Sequence, residues 1–248
     1  MPHLFELEDL PGFPPVLRRM QVEFIGWLVH RAGIYRAVVP PLREALDRCA
    51  VREITDLGSG NGGPILFLAA QPAFQDVHFL LTDRFPSPAP TVTAHVHWHG
   101  ASVDALDPDP PGTGPLTLFN AFHHFTPAQQ EQLVRVHGMR GLLVHEVLQP
   151  NVGVFLKILF TTTVGQLLLA PFVRPFRWER LLFTYVLPIN LITIPWDGLV
   201  SVLRSDTAER LMERVQKAAP EGCEVRGGTT GPWWAPVTWV HCLPSRAT

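Results

Sequence analysis

Residues 54–63, ITDLGSGNGG, place Asp56 two positions before a run holding Gly58, Gly60, Gly62 and Gly63. Glycine adopts left-handed backbone at little cost, so such a loop, entering a helix near Pro64, turns amide N–H groups and a helix start toward a polar ligand. A second acid, Asp83, ends the apolar run VHFLLTD, where a carboxylate accepts both hydroxyls of a ribose. Together they describe a site for a nucleoside-bearing cofactor. Gly58, Gly60 and Gly63 also satisfy the dinucleotide fingerprint, and the glycines alone do not separate the two classes. Asp56 favours a cofactor with a cationic amino-acid end, because a pyrophosphate beside it would be repelled.

Groups able to move a proton lie further along. His123 and His124, in LFNAFHHFTP, follow a strand-like run, and either imidazole titrates in a range useful to a general base. One of the two has the alternative task of fastening the loop. His145 and Glu146 end the run GLLVHEV and alternate in direction, so one faces the crevice and the other a covering helix. A glutamate buried without a partner is costly, which places Glu146 at a polar site or in an ion pair; His145 reads as an acceptor contact or as a core histidine. Tyr185, Trp196, Asp197 and Arg204 are candidate acceptor contacts, with packing or a structural ion pair as the alternative. Phe176, Trp178 and Phe183 fit a core, a lid or an apolar acceptor surface, and Trp233 and Trp234 a loop or the far wall of the site. AHVHWHG has no carboxylate nearby in sequence, and Cys49, Cys223 and Cys242 lack zinc-ligand spacing, so no metal is expected.

The elements that position these groups follow from periodicity. Leu17, Met20, Phe24, Ile25 and Leu28 recur at helical spacing up to Gly33, and a second helix starts at PPLREALDRC, with Pro41 suited to a first turn. From residue 51 short β-rich runs alternate with helices, which implies right-handed βαβ units and a mainly parallel sheet covered on both faces. Thr126, Pro127 and Gln129 form a capping-box signature. The chain closes with a capped helix and two strand-like runs joined without a helix, so the expected end is a hairpin with one antiparallel strand. FPSPAPT and DPDPPGTGP read as loops.

Residues 149–204 stand apart: very apolar, broken by Pro171, Pro175, Pro188 and Pro195. Their two uncharged runs, between Lys157 and Arg174 and between Arg180 and Asp197, fall short of the ~20 apolar residues of a spanning helix. A helical lid over the active site, or a patch lying on a membrane, is the expectation. The whole chain has 248 residues and a net charge of −2, which argues against a nucleic-acid binder working by phosphate neutralisation. The N-terminal stretch lacks the basic-then-apolar order of a signal peptide and the cysteines are few and scattered, so a cytoplasmic location is expected, with peripheral membrane contact or a homodimer through the insert left open.

Taken in order, these motifs resemble the class I S-adenosylmethionine-dependent methyltransferase superfamily over residues 51–147 and 205–244. DLGSGNGG is similar to its first motif, LLTDRF to its second-strand acid, SVDALDPD to its third-strand loop and LFNAFHHFTPAQQ to its fourth-strand motif. GLLVHEVLQP resembles the fifth strand, and the terminal hairpin the reversed seventh. The resemblance implies a Rossmann-like α/β fold with a seven-stranded, mainly parallel sheet: a helical cap over 1–50, a core over 51–148 and 205–248, and a hydrophobic helical insert over 149–204. It implies S-adenosyl-L-methionine as cofactor. Gly58, Ser59, Gly60 and Gly62 would lie against the methionine portion, with Asp56 near its amino group; Asp83 would hold the ribose and Arg84 the edge of the adenine pocket. Asp104 and Ala105 would contact adenine, and Asn120, with Ala121 beside it, the amino-acid end. His123, His124 and Glu146 are the catalytic candidates, and the acceptor is expected to be an apolar small molecule or lipid-like.

Overall fold

The computed structural model describes residues 4–86 and 94–245; most of the FPSPAPT loop lies outside them. The chain divides into two compact units. Helix α1 (Pro15–Arg31) belongs to a helical unit formed by the chain up to Ala32 together with Leu148–Ser205, whereas α2 (Val39–Cys49) belongs to a sheet unit formed by Gly33–Val147 and the chain from Asp206 onward. The expected boundary at residue 50 therefore moves to Gly33. The physical reason is the apolar face of α2, where Leu42, Ala45 and Leu46 are buried against the sheet.

Among the described residues the sheet unit holds seven strands: β1 (Glu53–Leu57), β2 (His78–Thr82), β3 (Val96–Trp98), β4 (Leu116–Phe119), β5 (Leu142–Glu146), β6 (Cys223–Thr230) and β7 (Val237–Pro244), in the order β3-β2-β1-β4-β5-β7-β6. β1 to β5 run parallel, and β7 is antiparallel to both β5 and β6. Every residue of β4 and β5 is buried, as central strands covered on both faces require. Helix α3 (Gly63–Ala69) follows the glycine loop. Helix α4 (Pro127–His137) starts at the expected capping box, with Thr126 accepting from the Gln129 N–H and the Gln129 side chain accepting from the Thr126 N–H. Seven strands, mainly parallel with the last one reversed, form the Rossmann-like sheet that the resemblance implied.

The helical unit is built on α1 and three further segments. Helix α5 (Val152–Phe160) continues through a π-helical turn (Thr161–Gly165), α6 (Gln166–Leu169) and a final tight turn into one run, Val152–Phe172, of 21 residues, long and apolar enough to cross a membrane. Counting between charges had made this run too short; the helix starts ahead of Lys157, where Asn151 caps it by accepting from the Val154 N–H at 2.9 Å. Then α7 (Trp178–Leu181) and a second π-helical turn (Leu182–Val186) lead into α8 (Asn190–Arg204), with a bend of 91° at a break containing Pro188. Inside the unit Arg180, 1 % exposed, donates to Glu23 at 2.5 Å and to the carbonyls of Val173 and Pro175, while Arg177 grips the same carboxylate.

Later in the chain α9 (Ala208–Ala218), capped by Thr207, returns to the sheet unit and packs beside α4. Its Leu211 and Val215 join Leu133 and Val134 of α4 and Leu118 and Val144 of the central strands in one core.

Candidate active site

The C-terminal ends of parallel strands open the crevice of an α/β sheet, and the functional candidates of the sheet unit gather there. Gly58, Gly60 and Gly62 have φ of 67°, 56° and 72°, a left-handed run that side chains rarely tolerate. Space is closed as well: a Cβ on Gly62 would sit 2.7 Å from Leu81 and Trp98 side-chain atoms, and one on Gly58 3.3 Å from the Cβ of Ala121. Asp83 spans the loop, accepting from the Gly60 N–H at 2.7 Å and, through its other oxygen, from the Phe85 N–H at 2.7 Å. Its carboxylate thus stands beside the glycine amides.

Behind the loop Ser59 is a fastener. Its hydroxyl donates to the Asp56 carbonyl and accepts from the Thr82 N–H, and the Thr82 hydroxyl donates to the same Asp56 carbonyl at 2.8 Å. The Asp56 carboxyl is 1 % exposed and accepts from the Thr117 hydroxyl at 2.6 Å. Burial outweighs that hydrogen bond and pushes its pKa up to about 7.

At the end of β4, Asn120 takes a φ of 51° and commits its whole amide: Nδ2 donates to the Tyr35 hydroxyl at 2.7 Å, and Oδ1 accepts from the Val147 N–H at 2.7 Å. The Tyr35 hydroxyl, buried near Glu146 and Asp56, is held protonated well above its ordinary range, burial being the larger cause. Next to it Glu146 accepts from the Phe122 N–H at 2.8 Å with one oxygen and bonds Nδ1 of His123 at 2.6 Å with the other. An imidazole that donates from Nδ1 to a carboxylate keeps its Nε2 lone pair for another proton. The His124 ring lies 4.5 Å from that of His123, centroid to centroid.

In the loops after β2 and β3, Arg84 is exposed with its guanidinium 5.9 Å from the Phe85 ring centroid, and exposed Asp104 turns back to accept from the Leu106 N–H. Ala105 is buried and its carbonyl meets Nε2 of His137 at 3.0 Å. The Val103 N–H donates to the Asp83 carbonyl at 3.0 Å, tying this loop to the second-strand acid.

Five expected acceptor contacts are engaged elsewhere. His145 is fully buried within the sheet, stacked on Phe119 at 4.6 Å, with Nε2 3.1 Å from Nε2 of His241, and burial holds its pKa well below the ordinary value. Asp197 accepts from the N–H groups of Leu7 and Glu8 and from Gln21, Arg204 pairs with Glu6 and Asp9, and Trp196 donates to the Phe5 carbonyl. These three side chains of α8 fasten residues 5–9. The Tyr185 hydroxyl donates to the Leu167 carbonyl inside the helical unit. Trp233 is 91 % exposed, so it closes no wall within the sheet unit.

Two groups of this site went unnoticed in the sequence, Tyr35 and Thr117. Thr117 had a signal, a hydroxyl in the otherwise apolar strand LTLF that has to find a partner when buried. Tyr35 had none, since it meets Asn120 from 85 residues away.

No protein-family model matches the chain, and no curated protein matches it. Among solved structures, human N-acetylserotonin methyltransferase in complex with SAM is 13% identical with a TM-score of 0.47, covering 82% of this chain and 50% of that one. PigF with SAH is 15% identical with a TM-score of 0.45, over 82% and 55%. The mitomycin 7-O-methyltransferase MmcR is 14% identical with a TM-score of 0.45, over 82% and 52%. The chain spans about half the length of these structures.

Proposed function

We propose that the chain is an S-adenosylmethionine-dependent methyltransferase acting on an apolar small-molecule or lipid-like acceptor. The observation that carries the reading is the left-handed Gly58–Gly62 loop clasped by Asp83 at the mouth of a sheet whose last strand is reversed. The loop has room for backbone approach and for nothing larger than a hydrogen at Gly58 and Gly62.

Bound there, S-adenosylmethionine supplies an electrophilic methyl group on a sulfonium. The chain's own part is alignment, exclusion of water and, for an acceptor that must lose a proton, a base. Asp83 exchanges its bonds to Gly60 and Phe85 for the ribose hydroxyls, and ionised Asp56 offsets the ammonium of the amino-acid end. Asn120, held by Tyr35 and Val147, offers its main chain or side chain there, with Ala121 against Gly58. Arg84, Asp104 and Ala105 border the adenine. His123, oriented through Nδ1 by Glu146, takes the acceptor proton at Nε2; His124 packs against its ring and positions it. The apolar character of the acceptor is supported by the apolar sequence of residues 149–204, and a cytoplasmic setting by the sparse cysteines.

Titration calorimetry with S-adenosylmethionine and S-adenosylhomocysteine, beside Asp83→Ala and an NADH control, tests the reading. Micromolar binding lost in the variant, with NADH silent, supports it. Binding of NADH alone sinks it and makes Gly58, Gly60 and Gly63 a dinucleotide site.

A further inference from the structure

Val152–Phe172 sorts its side chains in reverse, in a unit whose own apolar core holds Met20, Phe24, Val173 and Ile194. Along Val152–Phe172 the buried positions are Val154, Thr162, Gly165, Gln166 and Ala170, small or polar, while the exposed ones include Leu156, Phe160, Val164, Leu168 and Phe172. Leu168 is 65% exposed and Phe172 63% exposed, and only 22% of an 18-residue window of the run is buried, so it is not the core helix of a water-soluble bundle. From Leu181 to Leu203 the exposed side chains are again apolar or aromatic, Ile192 at 68% among them, while Thr184, Asn190, Thr193 and Asp197 are inside. Across both stretches the one exposed charged residue, among the described residues, is Lys157.

The threonine hydroxyls of the run are satisfied inside the helix, whereas the buried amide of Gln166 has no hydrogen-bond partner. Thr161, Thr162 and Thr163 donate their hydroxyls to the carbonyls of Lys157, Ile158 and Leu159, four residues back, which leaves no hydroxyl hydrogen in search of a partner. Gly198 of α8 admits Ile158 so closely that a Cβ there would lie 2.8 Å from it, the close small-residue packing by which helices associate without hydrophobic drive. Where the run ends, exposed Arg174, Phe176 and Trp178 place a cation and aromatic rings together, the pairing that sits at the level of lipid headgroups.

We propose that this face of the helical unit is seated in the hydrocarbon of a bilayer with anionic headgroups, lying in the membrane rather than crossing it. A lipid occupant accounts for the absence of polar groups better than a protein does, because a protein interface carries roughly one hydrogen bond per 100–200 Å² and a polar rim. The run also has a buried face, packed on α8, so one side alone is open to lipid. Arg174 meets the anionic headgroups, and Lys157 reaches them along its stem. The inference rests on the helical unit alone and not on methyl transfer.

The test is flotation of the full chain with phosphatidylcholine vesicles containing phosphatidylglycerol, beside sedimentation velocity without lipid. The wild-type chain is expected to float, to leave the vesicles at alkaline pH, and to lose at least tenfold in partition when Leu168→Glu and Phe172→Glu are combined. Both substitutions are at exposed positions, so the thermal unfolding midpoint and S-adenosylmethionine binding should hold. A wild-type chain that stays out of the floated fraction overturns the proposal, as does a dimer in sedimentation that the double variant converts to monomer, which would make a second copy the occupant. Retention at alkaline pH overturns the lying-in arrangement in favour of a span. Loss of cofactor binding with flotation intact would count against the methyltransferase reading only.

Discussion

The sheet unit and the Val152–Phe172 run of the helical unit obey opposite rules of burial. In the sheet unit Leu118, Leu133 and Val144 are inside, and among the buried polar groups Asp56 is bonded to Thr117, Tyr35 to Asn120 and Glu146 to the Phe122 N–H. In the helical unit Glu23, Arg180, Gln166 and Asn190 are inside and Leu168, Phe172 and Ile192 are outside. Water dictates the first arrangement, and water alone cannot produce the second, because exposed apolar area is unfavourable by roughly 25 cal/mol per Å². The contrast teaches that buried polarity has two settings here, a cluster beside the glycine loop in one unit and an internal frame under an apolar exterior in the other.

The comparison breaks first at the base. His123→Ala should lower kcat by about 10²–10⁴-fold, the usual contribution of general base catalysis, with cofactor affinity unchanged, and Glu146→Gln should follow it more weakly. Steady-state kinetics with a hydroxyl acceptor decide this, and a kcat that does not move would make the His123–Glu146 pair a frame like that of the other unit. Next comes the ion pair of the helical unit. Glu23→Leu leaves Arg180 buried without its carboxylate and should cost about 3–5 kcal/mol, while Glu23→Leu combined with Arg180→Leu regains most of it; denaturant unfolding measures both. A small cost in the single variant would mean that this interior is wet. Asp83→Ala should weaken S-adenosylmethionine binding roughly 100-fold, about the worth of charged hydrogen bonds to two hydroxyls, as read by calorimetry.

The pH dependence is smaller and its sign is fixed. The Asp56 pKa of about 7 lies above the ordinary carboxylate value, so the folded chain holds a proton that the unfolded chain releases. Its contribution to stability is complete in acid, falls as pH rises from roughly 4, and is lost once pH passes about 7. Affinity for a cationic amino-acid end runs the other way, rising toward pH 7 and levelling above it, and Asp56→Asn should flatten that profile. The smallest effect belongs to Trp233, which is 91 % exposed: Trp233→Ser should shift stability by no more than about 0.5 kcal/mol and leave vesicle flotation untouched.

Much of the sheet unit was legible because its signals are local. A glycine that must be left-handed, an acid ending a strand, and a Thr126–Gln129 capping box each act within a few residues, and the alternation of strands with helices implied a mainly parallel sheet. Candidate roles for Asp197 and Arg204 were less legible, because an aspartate or arginine next to an apolar insert reads alike whether it meets a ligand or the segment around Leu7. The insert's length was misjudged for a related reason: Lys157 counted as a boundary, yet a side chain that reaches solvent does not end a helix.

By itself the sequence determined the glycine loop and its acids, the alternation that makes a parallel sheet, and an apolar stretch at 149–204, since backbone preference and periodicity are written in neighbouring residues. Only the tertiary structure decided that Tyr35 joins Asn120, that Glu146 orients His123 while His145 is core, and which face of Val152–Phe172 is open. Those outcomes depend on which surfaces meet across dozens of residues, and packing, not local preference, sets that.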